Sequence, residues 1–176
     1  MTVPERFYGK YRGTVINNVD PEQRYRILVT VSDISHIIPS TWALPCLPVG
    51  GPQMGMLTVP PIGASVWIEF EQGDPDYPIW VGSFWEREFA PAEIPTLARV
   101  VPPGVPGITF QTVLQNGIVI SDMPPTPITG GIVLKSTTGA MIVVNDSGIY
   151  IENGKGASIR VVGPTVTINN GALVIV

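Results

Sequence analysis

Four acidic side chains, Glu69, Glu71, Asp74 and Asp76, fall within the run EFEQGDPDYPIWVGSFW. Two carboxylates on one strand face could divide glycoside hydrolysis between an acid and a nucleophile or base. Glu69 and Glu71 stand two apart, so on a strand they share a face with Trp67, leaving Ile68 and Phe70 on the other. No substrate-stacking groove or second acid pair accompanies them. A solvated strand face over a core holding Ile68 and Phe70 accounts for the pattern. Asp74 and Asp76 flank Pro75. Calcium would need more oxygen ligands at ordered spacing, whereas an Asp-Pro turn needs only local hydrogen bonds and a fixed φ. Trp80, Phe84 and Trp85 are expected to pack the same domain and its junction with the following segment. The cluster reads as a scaffold corner.

Other chemistries find even less. His36 is the only imidazole, with no cysteine or second histidine nearby, so neither a metal site nor Ser/His catalysis is expected. Gly-x-Ser-x-Gly and a glycine-rich phosphate loop ending in Lys-Ser or Lys-Thr are both missing. No cofactor is expected. The single cysteine, Cys46 in WALPCLPVG, excludes an intramolecular disulfide and is expected to be a small buried apolar residue. Net charge is −4, which opposes a phosphate-binding surface. Two small basic-aromatic groups, Tyr8/Lys10/Tyr11/Arg12 and Arg24/Tyr25/Arg26, are countered by Glu5, Asp20, Glu22 and Asp33. They read as strand ends or polar contacts to a partner, and no nucleic acid is expected.

Positioning falls to strands. Charged residues make up 14% of the 176 residues, while Gly and Pro take 19 positions each, so the chain turns often and has little room for long helices. Val, Ile and Thr dominate between the prolines, favouring β structure. Residues 1–88 read as a barrel. GKYRGTVINNV and RYRILVTVSDI are strands about a DPEQ turn, WALPCLPVG is an edge or irregular strand, and MGMLTV, ASVWIEF and PIWVGSFW follow with tight turns between them. Short strands with tight turns of this kind fit a five-stranded Greek-key barrel of the OB type. Residues 89–130 hold recurrent prolines, which break regular ladders, and one stretch, ITFQTVLQNGIVISD, that reads as a hairpin about Asn-Gly. This region is an extended connector.

From 131 to 176 the sequence is periodic. Ile132/Leu134, Ile142/Val144, Ile149/Ile151, Ile159/Val161, Val166/Ile168 and Leu173/Ile175 are apolar pairs two residues apart, each pointing to one side of a short strand. Gly139, Gly148, Gly156, Gly163 and Gly171 fall between them. The outward positions, including Lys135, Asn145, Tyr150, Glu152, Arg160, Thr167 and Asn169, are mostly polar. This is the pattern of a β-helix or β-prism. Strands with two inward side chains cannot enclose a core alone, and a single chain would leave a wet apolar face and unpaired edges. Three identical chains about one axis would bring Ile132, Leu134, Ile142, Val144, Ile149, Ile151, Ile159, Val161, Val166 and Ile168 together as a core and let every edge pair with a neighbour. Six strands about 4.8 Å apart give a shaft of roughly 25–30 Å. An ordinary β-sandwich half would carry larger aromatics, and this stretch has no Phe or Trp.

KYRGTVINNVDPEQRYRILVTV, PPIGASVWIEFEQGDPDYPIWVGSFW and GASIRVVGPTVTINNGALVIV together resemble the spike proteins of contractile tails. These include phage baseplate assembly protein V, the phage central spike, the type VI secretion spike and the spikes of extracellular contractile injection particles. The resemblance implies an OB-type barrel followed by an intertwined trimeric needle, and no enzymatic activity. Larger spikes carry a hub domain before the barrel, so a separate trimeric hub protein is implied. The segment from Glu88 to Gly130 is too short for the lysozyme domain some members insert, and the His-x-His iron site of some needles has no counterpart. The resemblance also implies piercing of a target envelope on sheath contraction, with transient membrane contact. A small tip protein of the proline-alanine-alanine-arginine type is expected to cover the apolar GALVIV end through Leu173, Val174, Ile175 and Val176. No signal peptide or membrane span is apparent, so assembly in a bacterial cytoplasm into a phage tail or tail-like particle is expected. The alternative is a stand-alone OB-type protein binding carbohydrate or nucleic acid.

Overall fold

The computed structural model describes residues 5–34, 40–86, 94–99, 104–123 and 130–175, and Val174 only in its backbone. His36 lies outside the described residues. The chain divides into two compact units, Met1–Ala90 and Pro91–Val176, and is nearly all β.

In the first unit, strands β1 (Tyr11–Asn17), β2 (Leu28–Val31), β3 (Leu44–Pro45), β6 (Ser65–Phe70) and β7 (Pro78–Phe84) form one sheet in the order β2-β1-β6-β7-β3. The sheet rolls closed because residues at its two ends meet: Ile27 and Ala43 exchange backbone hydrogen bonds of 3.1 and 2.8 Å. Alternation drives the closure. Val15, Val29, Val31, Val66, Ile68 and Phe70 point inward and are buried with Ile27, Ala43 and Trp80. MGMLTV does not supply a barrel strand. Only Met54–Gly55 (β5) is extended there, in a separate ribbon with Gly50–Gly51 (β4), because the surrounding glycines and prolines deny it a continuous ladder. Cys46 is exposed rather than buried. Its backbone N–H donates to the Trp80 carbonyl at 2.9 Å, which fixes the main chain and leaves the side chain outside.

The second unit is one eight-stranded antiparallel sheet in sequence order. Its strands are β8 (Gly107–Gln111), β9 (Gly117–Ser121), β10 (Gly131–Lys135), β11 (Met141–Asn145), β12 (Gly148–Glu152), β13 (Ser158–Val162), β14 (Thr165–Ile168) and β15 (Leu173–Ile175). The sheet therefore begins at Gly107, ahead of the Gly131 boundary read from the sequence. The connector's hairpin is its first two strands, and Gly131–Lys135 pairs along its whole length with β9. A short helix, α1 (Thr96–Arg99), precedes the sheet. Gly148 shows why small residues recur at the strand starts. Its φ is +152°, and a Cβ there would lie 2.2 Å from the Val161 carbonyl oxygen of the next strand.

Between β1 and β2 the barrel depends on Asp20. Its carboxylate accepts from the backbone N–H of Glu22, Arg24 and Arg26 and from the Arg26 guanidinium at 2.7 Å. The two side chains are 3% and 11% exposed, and the Arg26 hydrogen bonds hold the Asp20 carboxyl far below the ordinary carboxylate range. A depressed folded-state pKa contributes stability above the unfolded value of about 3.9 and loses it as pH falls toward the folded value. Asp20→Asn should lower the barrel's melting midpoint by several degrees at pH 7, with the gap to wild type narrowing progressively below about pH 4. A gap that is constant over that range, followed by circular dichroism, would refute this assignment.

Candidate assembly surface

The acids that could do chemistry are distributed among structural tasks. Glu69 forms an ion pair with Lys10. Glu71 does not share the Glu69 strand face, because β6 ends at Phe70 and Glu71 opens a 3₁₀ turn to Gly73. Asp74 accepts from Arg6 at 2.8 Å and from the Asp76 N–H at 3.1 Å, and the Asp76 carbonyl accepts from the Thr41 hydroxyl at 2.7 Å. Glu71 and Asp74 line an open cleft of about 240 Å³ with Arg6, Gln72 and Tyr77. The corner is a hydrogen-bonded turn.

The basic-aromatic groups are likewise engaged within the chain. Arg12 lies over the Trp67 and Phe84 rings, 5.4 and 4.9 Å from their centroids, and pairs with Glu86 at 3.1 Å. Arg24 pairs with Glu22, and Arg26 with Asp20. Phosphate binding along a groove requires cations free to replace counterions, and these are already neutralised. Trp80 packs in the barrel core, whereas Trp85 is 54% exposed. Among the described residues no three of His, Cys, Asp and Glu come together as a metal site.

The prominent surface is one face of the eight-stranded sheet. Each strand turns two side chains to it, and the register aligns them in two unbroken columns. One runs Phe110, Ile118, Leu134, Ile142, Ile151, Ile159, Ile168, Leu173. The other runs Ile108, Ile120, Ile132, Val144, Ile149, Val161, Val166, Ile175. The ten residues read from the sequence as a shared core fall in these columns, as do Leu173 and Ile175 of the expected tip contact; Val174 stands on the backbone between those two, and Val176 lies outside the described residues. The sequence reading missed Ile108, Phe110, Ile118 and Ile120. Their i, i+2 spacing carried the same signal, hidden by the prolines on either side.

Among the described residues nothing covers this face. From Ile132 at 43% to Val161 at 37%, its side chains keep about two-fifths of their surface in solvent. Fully burying one such side chain is worth about 1.5–3 kcal/mol. Fourteen of these side chains are about two-fifths or more exposed, with Val166 and Ile168 less open beside them, so covering them is worth on the order of 10 kcal/mol per chain. That matches the net stability of a whole domain. The opposite face is different. Its central column runs Thr109, Val119, Val133, Val143, Tyr150, Arg160, Thr167. Val119, Val133 and Val143 are buried in one cluster with Leu97 of α1, against which Met141 and Tyr150 pack. Gln111 fixes the helix there, its side-chain oxygen accepting from the Leu97 N–H at 2.9 Å and the Thr96 hydroxyl at 3.0 Å. One face is thus covered by the chain's own helix or made polar, and the other is left apolar from end to end.

Backbone pairing refines the expected assembly. The sequence reading had every edge pairing with a neighbouring chain, but β9 to β14 are hydrogen-bonded on both sides within the chain. Each chain supplies a complete wall, as in a prism, and only side chains need partners. Eight strands at about 4.8 Å extend the wall to roughly 34 Å.

The comparisons with known families agree with this division. A family model described as "Type VI secretion system/phage-baseplate injector OB domain" matches residues 11–85. A second, described as "Phage baseplate V C-terminal trimerisation domain", matches residues 107–174. No curated protein matches the chain.

Ile151→Asp places a charge in the middle of one column, where burial against other chains would cost several kcal/mol. It should abolish the assembled species in sedimentation velocity. Arg160→Gln, on the opposite face, removes only an exposed ion pair to Glu152 at 3.6 Å, worth about 0–1 kcal/mol, and should assemble as wild type. Equal assembly of the two variants would exclude this face as the interface.

Proposed function

The chain belongs to the phage baseplate V family of contractile-tail spike proteins, and on that premise we propose that it is the central spike of an injection baseplate, driven through the target envelope when the sheath contracts. Membership makes it a homotrimeric structural component of a phage tail or tail-like particle. The observation that carries the reading is the pair of apolar columns eight strands deep. Three such walls closed about an axis give a dry aliphatic centre too narrow to deform, surrounded by continuous hydrogen-bonded sheet. A rod of that kind transmits axial force without bond-breaking chemistry.

In this proposal the barrel unit seats on a trimeric hub and the sheet unit forms the shaft. At the far end of the sheet β15 has one strand neighbour, β14, and Leu173 and Ile175 are 52% and 55% exposed, more than the residues of the inner rows. Leu173, Val174, Ile175 and Val176 are proposed as the seat of a small tip protein of the proline-alanine-alanine-arginine type, and assembly is assigned to the bacterial cytoplasm. Among the described residues no helix is long and apolar enough to cross a membrane, so membrane contact in this mechanism is mechanical and transient.

Particles assembled with a chain shortened by removal of residues 158–176, which keeps β8 to β12 and their apolar columns, should still contract when triggered but permeabilise target cells poorly. Undiminished permeabilisation would exclude the piercing role. Deleting Leu173–Val176 should leave the trimer intact and abolish retention of the tip protein in co-purification, and unchanged retention would reject the capping assignment.

A further inference from the structure

The two long sides of the wall built by β8 to β15 carry opposite charge. On one side the connections are residues 112–116, 136–140, 153–157 and 169–172; on the other they are 122–130, 146–147 and 163–164. The first side presents Lys135, at the end of β10, and Lys155. The second presents Asp122, just after β9, and Asp146, between β11 and β12. All four are exposed. Among the described residues none of them has a charged partner within the chain, whereas Glu152, the remaining acid near the lysine side, is engaged by Arg160. The 122–130, 146–147 and 163–164 connections contain no basic residue.

The positions also match in spacing. Counting strands along the sheet, Lys135 ends the third and Lys155 lies between the fifth and sixth. Asp122 follows the second and Asp146 lies between the fourth and fifth. The interval between the lysines equals the interval between the aspartates, and the two pairs are offset by one strand, about 4.8 Å.

We propose that in the trimer the lysine side of each chain meets the aspartate side of the next, displaced by one strand, so that Lys135 faces Asp122 and Lys155 faces Asp146 at every corner. This rests on the trimeric reading above and adds what it leaves open: the register in which one wall meets the next and the charged groups that hold it. A head-to-tail contact closes into a ring when the rotation is threefold. Because that rotation adds no rise, the one-strand offset requires each strand to incline across the wall by one spacing, about 4.8 Å, its lysine-side end level with the aspartate-side end of the preceding strand. Opposite charges on the two sides disfavour an inverted chain, whose corners would pair lysine with lysine or aspartate with aspartate. The apolar columns provide most of the affinity. The corners choose the partner edge and speed the encounter.

The experiment reverses one side at a time in the full chain. Lys135→Glu with Lys155→Glu, and separately Asp122→Lys with Asp146→Lys, should each trimerise about tenfold more slowly than wild type at low salt. The difference should vanish near 1 M salt, where the screening length is about 3 Å. Combining all four substitutions restores opposite sides and should restore the wild-type rate. In a Cys46→Ala background, Lys155→Cys with Asp146→Cys should yield a covalent trimer on oxidation, and Lys155→Cys alone should not. A trimeric wild type whose two-residue variants assemble at its own rate in low salt would overturn the proposal, as would a fourfold variant no faster than they are. A monomeric wild type would instead overturn the trimer itself.

Discussion

A five-residue strand crossing a narrow wall can aim only two side chains at one face. That constraint organises the C-terminal unit. In-register antiparallel pairing from β8 to β15 satisfies the backbone within the chain, so hydrogen bonding creates no demand for a partner. The demand comes from Ile, Val, Leu and Phe side chains standing in two columns, with nothing among the described residues opposite them. A barrel resolves the same problem by curling, as the N-terminal unit does where Ile27 meets Ala43. The eight-stranded sheet does not close on itself in this way, and in the proposed assembly copies of the chain supply the missing side of the core.

The two faces divide the labour. Leu97, Val119, Val133 and Val143 form one buried cluster toward the start of the outer face, with Met141 and Tyr150 packed against it, and the polar Arg160–Glu152 pair follows further on. That face is finished within the chain. In the proposed trimer the inner columns are finished by assembly, so the energy of folding the shaft and the energy of trimerisation are one quantity for those residues. In the proposed spike, load along the shaft would run across the strands, where each ladder of hydrogen bonds would share the force and the aliphatic centre would resist collapse through its packing density. In the barrel unit, Asp20 and Arg26 hold the β1–β2 connection in one conformation, and β3 supports the side of β7 through a parallel pairing.

Much of this was legible in the sequence wherever a period survived. The Ile/Val pairs from Ile132 onward announced the columns, and Val15, Val29, Val66 and Ile68 announced the barrel interior. Ile108 to Ile120 carried the same alternation but lay among prolines, whose effect on regular structure was extended too far along the chain. The Thr96–Arg99 helix left almost no pattern, because four residues give no helical period and Leu97 is its only buried side chain. Cys46 misled because residue type describes average burial, whereas the Trp80 carbonyl decides which way that main chain turns. Glu71 misled because a positive φ at Gln72, +52°, ends the strand one residue earlier than alternation suggests. Contacts that depend on a tertiary neighbour are invisible to periodicity, and periodic faces are what it reads best.

The most direct test is sedimentation equilibrium of the unmodified chain at micromolar concentration without ligand. The account predicts a single species of three times the 18.9 kDa chain mass. A soluble monomer whose residues 107–175 are folded and resist protease would contradict it, because the apolar columns would then be stable while open to water.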